Sequence, residues 1–530
     1  MREITKYHDT SKTVKERAKN KLFGAVYSHT AIILLLILLQ IGIMVLTFTY
    51  LGNYSTYMNG VISLLSFITA IYIFNEKGNP AFKMTWILFV FLVPVVGVGF
   101  YLFTKAGIGT KYLGARLEKL RVETEPYMQQ NEYVVHAMKG GRVANANLSH
   151  FLYNQVGFPT YGNSQAQYFP LGDDKFPVLI EELNKAEKFI FMEYFIIGEG
   201  YVWDTVLEVL RKKVKEGVEV RLMYDGTCSI SLLPYEYPKQ LREYGIQCKE
   251  FGPIVPILST SQNNRDHRKI CVIDGKVAFT GGVNLADEYI NEKEVYGHWK
   301  DTAVKITGEA VRSFTVMYLQ MWHVSENGAA DEYEKYLQNI VFDKPLKDDG
   351  FVIPYGEMPT VPTEVAKTVY ESLFNTAKKY VHVMTPYFIV EQEFFDTMRY
   401  AAQRGVEVKM ILPHIPDKKI VYYIARNYYP KLLEAGIQVY EYTPGFVHAK
   451  VFSVDGSSAT VGTINLDYRS FYHHFECGCY FYDSSVIQNI EADFQRTLED
   501  CQEVTMEYYK KLPLYQKLIG TLFKLIAPLM

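Results

Sequence analysis

Residues 263–282 read NNRDHRKICVIDGKVAFTGG, and residues 447–462 read VHAKVFSVDGSSATVG. Both stretches follow one pattern: a His, a Lys two positions later, an Asp five after that, a Gly seven after that and an Asn three after that. The matching residues are His267, Lys269, Asp274, Gly281 and Asn284 in the first copy, and His448, Lys450, Asp455, Gly462 and Asn465 in the second. Such a match, found twice at identical spacing, indicates an internal repeat rather than an accident of composition.

Each copy of the motif is predicted to form a β-hairpin. The runs RKICVI and VFSV end in Asp-Gly, which favours a tight turn, and the runs KVAFT and SATV return. Because side chains alternate across a strand, the His and Lys of each motif share a face. Asp274 and Asp455 fall at the turn, so we assign them turn formation and a supporting role in catalysis. Gly281 and Gly462 are expected to let the backbone approach a bound anion, and the asparagines to add an amide donor.

The duplicated residues suit chemistry on a phosphodiester. One motif supplies enough groups to bind a phosphate, but too few for a two-step displacement. Two motifs packed about a pseudo-twofold axis bring both histidines to one phosphorus, so that one attacks it while the other protonates the leaving oxygen. The lysines and asparagines then stabilise charge on the non-bridging oxygens. We therefore expect neither a metal ion nor a cofactor, since metal-ligand spacing occurs nowhere else in the sequence.

The repeat extends beyond the motifs themselves. NKAEKFIFMEYFII and KEGVEVRLMYDG precede the first motif, and NTAKKYVHVMTPYFIV and QRGVEVKMILP precede the second. Apolar strand runs alternate with helical stretches, which is typical of a sheet flanked by helices. We predict an α/β fold of two tandem sandwich lobes, over residues 151–345 and 346–507, preceded by a linker over residues 105–150.

Composition narrows the class of partner. The 55 Lys+Arg nearly balance the 58 Asp+Glu, for a net charge of −3, which argues against a nucleic-acid-binding protein. The 6 cysteines show neither a disulfide framework nor a zinc-site spacing and are expected to be buried free thiols. The remaining histidines are interpreted as structural, and they include His298, His323, His382, His414, His473 and His474.

The amino-terminal part is predicted to cross a membrane. Residues 1–30 form a basic segment, and residues 31–104 a transmembrane region of two or three helices. The uncharged runs 31–51 and 85–103 are assigned as spans, whereas the shorter run 60–74 is either a third span or an interfacial piece. Basic residues flank both ends of the region, which favours an even number of spans and places both flanks, with the catalytic lobes, on the cytoplasmic side.

The carboxyl-terminal tail, residues 508–530, is amphipathic. It alternates leucines with lysines, as a helix lying on anionic lipid does. A helix packed on the protein is the alternative, and the sequence does not decide between the two.

The paired motifs resemble those of the phospholipase D superfamily, and the fit is closest to its bacterial cardiolipin synthases. The resemblance rests on NNRDHRKICVIDGKVAFTGGVNLADEY, GHWKDTAVKITG and HAKVFSVDGSSATVGTINLDYRSFYHHFECGCYFYD, with WILFVFLVPVVGVGFYLF upstream. It extends to all but about the first thirty residues and implies two phospholipase D-like lobes behind the transmembrane region.

The resemblance also implies a reaction. A histidine attacks the phosphodiester of phosphatidylglycerol, glycerol leaves, and a second phosphatidylglycerol takes the phosphatidyl group from the histidine, giving cardiolipin. By analogy His267 is the nucleophile and His448 the acid/base, an assignment that the near-symmetry of the motifs leaves open. Asp301 and Glu476 match the acidic residues that orient the histidines. The second copy carries Thr463 where the first has a second glycine, and its hydroxyl is expected to donate to phosphate.

The implied partners are phosphatidylglycerol and cardiolipin in a bacterial plasma membrane, with no nucleic acid; a homo-oligomer is left open. The motif does not choose the acceptor, so a phospholipase D releasing phosphatidic acid and another phosphatidyltransferase stay as alternatives. The near-neutral charge disfavours a nuclease. Intact His and Lys in both copies disfavour a silent membrane scaffold, and apolar runs without charge disfavour a channel.

Overall fold

Two mixed β-sheets with matching strand order form the two halves of the chain. The computed structural model describes residue 42 and residues 55–139, 143–228, 232–234, 236–252, 263–325, 333–337 and 349–529. The strands of the first half are β1 (Ser164–Phe169), β2 (Phe189–Tyr194), β3 (Glu219–Asp225), β4 (Gln247–Phe251), β5 (Arg265–Asp266), β6 (Lys269–Ile273), β7 (Val277–Gly281), β8 (His298–Lys300) and β9 (Ala303–Gly308). Those of the second are β10 (Phe351–Glu357), β11 (Tyr380–Met384), β12 (Phe388–Ile389), β13 (Glu407–Pro413), β14 (Gln438–Tyr442), β15 (Gly445–Val447), β16 (Val451–Val454), β17 (Ser458–Gly462), β18 (Leu466–Asp467), β19 (His474–Tyr482) and β20 (Cys501–Glu503).

The strand order repeats from one sheet to the other. The first sheet runs β1-β9-β7-β6-β2-β3-β4, and the second runs β10-β19-β17-β16-β11-β13-β14-β20. In both, three parallel strands are followed by antiparallel ones that carry the motif hairpin. Strand β2, FIFMEY, is buried at all six positions, as expected for a strand covered on both faces. The predicted α/β fold is confirmed.

Helices cover the two sheets and bring the chain to and from them. The described helices are α1 (Ser55–Asn75), α2 (Pro80–Leu92), α3 (Pro94–Ala106), α4 (Ile108–Thr124), α5 (Glu132–Lys139), α6 (Val143–Val156), α7 (Gly172–Lys185), α8 (Tyr201–Lys215), α9 (Tyr237–Glu243), α10 (Val311–His323), α11 (Tyr333–Leu337), α12 (Val365–Thr376), α13 (Gln392–Gln403), α14 (Lys419–Arg426), α15 (Tyr429–Glu434), α16 (Tyr468–Tyr472), α17 (Val486–Glu499), α18 (Met506–Lys511) and α19 (Leu514–Lys524). Short 3₁₀ turns cover Glu125–Tyr127, Asp287–Ile290 and Ala527–Leu529. The residues predicted as a linker, 105–150, are largely helical, and buried Leu117 and Leu120 of α4 belong to the same core as α10.

Two short parallel pairings join the halves and position the motif histidines. Strand β5 pairs with the start of β19, with Arg265 opposite His474. Strand β8 pairs with β15, with Lys300 opposite Val447. Both pairings stop one residue short of a motif histidine, so each histidine is held by a strand from the other half.

The amino-terminal helices differ from the predicted spans. The run 85–103 is not one helix, because Pro94 has no N–H to continue α2 and a new helix, α3, begins there. The chain folds back: a Cβ at Gly97 would lie 2.8 Å from the Phe89 carbonyl oxygen, and the Trp86 ring lies 5.7 Å from that of Phe100. Each 13-residue helix is about 20 Å long, too short for a hydrocarbon core of about 30 Å.

The run 60–74 instead lies inside α1, the one helix in the described part of the chain that is long and apolar enough to cross a membrane. The predicted basic segment 1–30 and the predicted span 31–51, apart from residue 42, lie outside the described residues. One apolar helix of this kind is weak evidence for a transmembrane region.

Cysteines follow the prediction. Cys228, Cys248, Cys271, Cys477 and Cys479 are free and buried, and the Cys501 thiol is free and half-buried. They act as small apolar residues of the core.

Candidate active site

The two motif histidines are each bonded to an acid from the other half. His267 Nδ1 lies 2.9 Å from a Glu476 carboxylate oxygen, and His448 Nδ1 lies 2.6 Å from Asp301 Oδ2. This crossing, in which each histidine takes its acid from the other half, follows from the strand pairings. The His267 amide donates to the carbonyl of Phe475, the residue before Glu476, at 2.9 Å. Equivalently, the His448 amide donates to the carbonyl of the residue before Asp301 at 2.7 Å. Neither half alone holds a histidine with its acid.

The motif lysines share the histidines' buried environment. Lys269 Nζ donates to the His267 carbonyl at 2.5 Å, and Lys450 Nζ donates to the His448 carbonyl. Burial lowers the pKa of Lys269 to about 8 and that of Lys450 to about 7, although nearby carboxylates oppose the effect. These ammonium groups hold their proton weakly until a negative charge reaches them.

Asp274 and Asp455 do not join the histidines. They lie at the far end of the motif strands, in the left-handed region with φ of 53° and 54°, at the hairpin turns. Each carboxylate accepts three backbone N–H groups at the start of a central strand: those of residues 187–189 for Asp274 and of residues 378–380 for Asp455. Both aspartates therefore form turns, as the sequence indicated, and their supporting role in catalysis stays a prediction.

The motif glycines let strands approach each other rather than an anion. A Cβ at Gly281 would lie 2.4 Å from the Thr302 carbonyl oxygen, and one at Gly462 would lie 2.5 Å from that of Cys477. At Gly282 a Cβ would collide with the Asp301 carboxylate. The expectation of a backbone anion cradle is therefore corrected.

Thr463, which occupies the place of Gly282 in the second half, does not point its hydroxyl at a free phosphate position. Thr463 Oγ1 donates to the Glu476 carboxylate, and Ser470 Oγ donates to the same group at 2.8 Å. The predicted phosphate contact is corrected to an acid-holding one. The asparagines keep one free amide atom each: Asn284 Nδ2 and Asn465 Oδ1 are buried without a hydrogen-bond partner.

Comparisons with known proteins identify the family of the chain. The family model described as "Cardiolipin synthase, PLD-like domain" matches residues 179–322 and 370–498. A cardiolipin synthase from Alkalihalophilus pseudofirmus is 34% identical over 90% of this chain and 96% of its own, and one from Halalkalibacterium halodurans is 32% identical over 89% and 94%. The chain belongs to the cardiolipin synthase family.

Further matches agree with this membership. A "Phospholipase_D-nuclease N-terminal" model matches residues 64–105, which include most of α1 and the hairpin of α2 and α3. An uncharacterized protein from Streptococcus mutans serotype c is 46% identical over 87% of this chain and 99% of its own. The solved phosphatidylserine synthase of Haemophilus influenzae Rd KW20 aligns with a TM-score of 0.55 at 17% identity, over 73% of this chain and 98% of that one, which shows a shared fold.

The two histidine–acid pairs of this cardiolipin synthase family member are electrostatically unequal. Burial lowers the pKa of both histidines, that of His448 to about 4 and that of His267 well below its ordinary value, so both rings are neutral at pH 7. Burial also raises the pKa of Glu476 well above its ordinary range. For Asp301 burial acts the same way, but the neighbouring His448 and Lys450 outweigh it and the pKa is lowered. The two acids therefore differ: the pKa of Asp301 is lowered, which keeps it ionised, whereas the pKa of Glu476 is raised.

The rings around the histidines differ as well. His267 faces Phe195 at 4.8 Å and His474 at 5.3 Å between ring centroids. His448 is surrounded by three aromatic rings, those of Tyr289, Trp299 and Phe446 at 5.5, 5.4 and 5.8 Å.

His474 is a residue of the site that the sequence analysis assigned to the structural histidines. Its Nε2 accepts the Arg469 Nε–H at 3.1 Å, which leaves the proton on Nδ1, 3.5 Å from Glu476 Oε1. The alternation of β19 was the available signal, because residues two apart on a strand share a face. Nitrogen atoms of His267 and His474 and an oxygen of Glu476 lie within 4.8 Å of one another, but the Arg469 bond to Nε2 and the proton on Nδ1 leave His474 no lone pair for a metal ion in this arrangement.

Proposed function

We propose that the chain transfers a phosphatidyl group between two phosphatidylglycerol molecules, giving cardiolipin and glycerol. The observation that carries this is the reciprocal pairing: two histidines from separate halves, each bonded through Nδ1 to an acid of the other half, in a chain of the cardiolipin synthase family. Nδ1 bonding leaves Nε2 of each ring for the substrate.

His267 is the nucleophile. Its Nε2 attacks the phosphorus of the first lipid, a nitrogen–phosphorus bond forms, and the bond between phosphorus and the headgroup glycerol oxygen breaks. His448 gives a proton to that oxygen, and glycerol leaves. His448 then takes the proton from a headgroup hydroxyl of the second lipid, whose oxygen attacks phosphorus as the bond to His267 breaks.

The unequal acids support this assignment. A general acid must carry a proton during the reaction, and ionised Asp301 stabilises the imidazolium form of His448. A nucleophile must be neutral. Burial disfavours the ionised form of Glu476, so Glu476 stabilises a second proton on His267 less than Asp301 stabilises one on His448. The incoming phosphodiester anion raises the pKa of His448 from its substrate-free value.

The lysines and asparagines bind the non-bridging oxygens. Lys269 and Lys450 are buried beside the histidines, so a phosphate oxygen that takes their N–H bonds replaces the backbone carbonyls they now contact. The unpartnered Asn284 Nδ2–H gains an acceptor in the same step, whereas the unpartnered atom of Asn465 is Oδ1, itself an acceptor, which a phosphate oxygen does not satisfy. Donors fixed in a buried site stabilise the developing charge of the transition state.

The chain is proposed to be a multi-pass protein of the bacterial plasma membrane. Helix α1 and the apolar run 31–51 are the two spans, and an even number agrees with basic residues on both flanks. Both lobes then lie on the cytoplasmic side. The hairpin of α2 and α3, too short to cross, lies at the same side of the bilayer.

One assay tests the function. Purified full-length protein is incubated with headgroup- and acyl-labelled phosphatidylglycerol, with and without excess glycerol, and the products are separated. Cardiolipin and free glycerol, with cardiolipin suppressed by added glycerol, support the transfer. Phosphatidic acid as the only lipid product would show a phospholipase D instead.

Variants locate the chemistry. His267→Ala and His448→Ala are each expected to lose turnover, and a phosphatidyl adduct can form only in His448→Ala, because His267→Ala has no nucleophile to hold it. His150→Ala, at an exposed position of α6, is the matched control and keeps full turnover. Turnover in either site variant equal to that of the control would contradict a shared site.

A further inference from the structure

The carboxyl-terminal helix α19 has one face fixed on the protein. A Cβ at Gly520 would lie 2.3 Å from the Tyr423 carbonyl oxygen of α14, so only glycine allows this close approach. Asn427 Nδ2 donates to the Lys517 carbonyl at 3.0 Å, and the Lys524 ammonium lies 3.6 Å from the centre of the Tyr428 ring. The helix therefore cannot rotate about its axis to hide a different face.

The opposite face of α19 is apolar and exposed. Leu514, Leu518 and Leu522 follow one another at four-residue intervals, and their side chains are 70%, 61% and 63% exposed. Leu525 and Ile526 continue the same ridge past the end of the helix. A contiguous row of this kind is unusual on a surface that faces only water.

This ridge meets the hairpin of α2 and α3. Thr85 Oγ1 donates to the Leu525 carbonyl at 3.0 Å and joins the two elements. On α2 the exposed apolar residues Met84, Leu88 and Phe91 recur at helical spacing. We name the combined surface of α2 and α19 the platform. It begins five residues after α1, the candidate membrane span, so it lies near one end of that helix.

Charge points to the occupant of the platform. Residues 506–529 carry four lysines, at 510, 511, 517 and 524, against one acid, Glu507, which pairs with Lys511 at 2.8 Å. Leucines on one face with lysines beside them fit the headgroup layer of an anionic bilayer, where apolar side chains enter the acyl boundary and ammonium groups meet phosphate.

The platform also touches the segment that holds the active site. Phe82 of α2 packs edge-on against Tyr472 of α16 at 5.3 Å and against His473 at 5.7 Å. Helix α16 lies between Asn465 and Glu476, and its Ser470 donates to Glu476. A bilayer whose headgroup layer contains the platform thus lies next to the active site. The lipid substrate of that site does not leave the same layer.

We propose that the platform, α2 together with α19, is a second membrane-binding surface, seated in the headgroup layer of an anionic bilayer beside the site. It deepens the proposed function, because it sets the depth at which the site meets phosphatidylglycerol. It also resolves the prediction for the tail: α19 packs on the protein by one face and meets lipid by the other.

Depth-dependent fluorescence quenching tests whether the platform lies in the headgroup layer. The full chain, with Cys501→Ser to remove the half-buried thiol, carries either L518C or K212C, labelled with an environment-sensitive fluorophore, in nanodiscs that contain phosphatidylglycerol brominated near the carbonyl end of the acyl chains. The label at 518 is expected to be quenched at least twofold more than the label at 212, an exposed position of the first lobe. Equal quenching at the two positions overturns the proposal. Protection of the label at 518 by a second copy of the chain, seen as a cross-linked dimer, overturns it as well.

Activity gives an independent measurement. Leu518→Ser with Leu522→Ser is expected to lower cardiolipin synthesis on vesicles at least tenfold and to leave synthesis from short-chain phosphatidylglycerol in micelles within twofold. Tyr244→Ser, an exposed aromatic of the first lobe, is the matched control and changes neither. Equal losses on vesicles and in micelles would overturn the proposal. A labelled L518C chain that makes cardiolipin without quenching at 518 would refute the platform and leave the proposed function standing.

Discussion

Replacing Lys450 by methionine should stabilise the fold while it abolishes catalysis. The Lys450 ammonium is fully buried, and burial is the largest cause that lowers its pKa from 10.5 to about 7. At about 1.4 kcal/mol per unit of pKa, this difference corresponds to on the order of 5 kcal/mol of unfolding free energy at pH 7. Methionine has a similar length and carries no charge to bury.

One loss reduces that gain. The His448 carbonyl loses the N–H bond of Lys450, at a cost of about 1 kcal/mol. The attraction of Lys450 to Asp301 is already contained in the lowered pKa of Lys450, so the net gain is about 4 kcal/mol. For lobes of this size the gain predicts a melting temperature higher by roughly 8–16 °C.

The assay is thermal unfolding of the full chain in detergent, followed by intrinsic fluorescence, beside the rate of glycerol release. Lys450→Met should raise the melting temperature. It should also lower turnover by at least about 10³-fold, because the ammonium group that stabilises negative charge on the phosphate oxygens is lost. Lys367→Met is the matched control: Lys367 is buried too, but its ion pairs with Glu391 and Glu364 outweigh the effect of burial and raise its pKa. Its removal leaves buried Glu391 without that partner and should lower the melting temperature. A lower melting temperature for Lys450→Met, comparable to that of the control, would refute the reasoning.

Three further predictions concern the same site. Because His448, the general acid, carries its proton in the substrate-free enzyme only below about 4, and Lys450 and Lys269 lose theirs as pH rises through about 7 and about 8, kcat/KM should fall as pH rises above about 4 and fall more steeply above about 7; initial rates of glycerol release across pH check this, and an activity that rises between pH 7 and 9 would contradict it. Asp301→Asn, which removes an ionised partner, should lower turnover about 10³-fold, whereas Glu476→Gln, at an acid whose pKa is raised by burial, should lower it about tenfold; equal losses would remove the basis for assigning the nucleophile. Gly282→Ala should lower turnover because its Cβ displaces the Asp301 carboxylate, whereas Gly99→Ala, with open space around it, should not, as the same rate assay would show.

The sequence predicts the repeat well because the repeat is local. The motif spacing, the Asp-Gly turns and the apolar strand runs are all read within a few residues, and the matching strand orders of the two sheets follow from them. The wrong assignments concern distant contacts. Gly281 allows close approach to a neighbouring strand, and Thr463 bonds to Glu476. Both contacts involve residues that only the folded chain places beside them. The span over residues 85–103 failed because hydropathy does not record that Pro94 and Gly97 allow the chain to fold back.

The crossing of the acids explains why the chain carries the motif twice. Had each histidine been paired with an acid of its own half, either half could form an oriented histidine alone, and two copies would merely double the site. Here the strand before His267 pairs with the strand that carries Glu476, and the strand before His448 pairs with the one that precedes Asp301. Separating the halves therefore breaks both histidine–acid pairs at once. Because the nucleophile and the acid are assembled only together, a transfer that starts can also be finished. This suits a reaction whose covalent intermediate must wait for a second lipid.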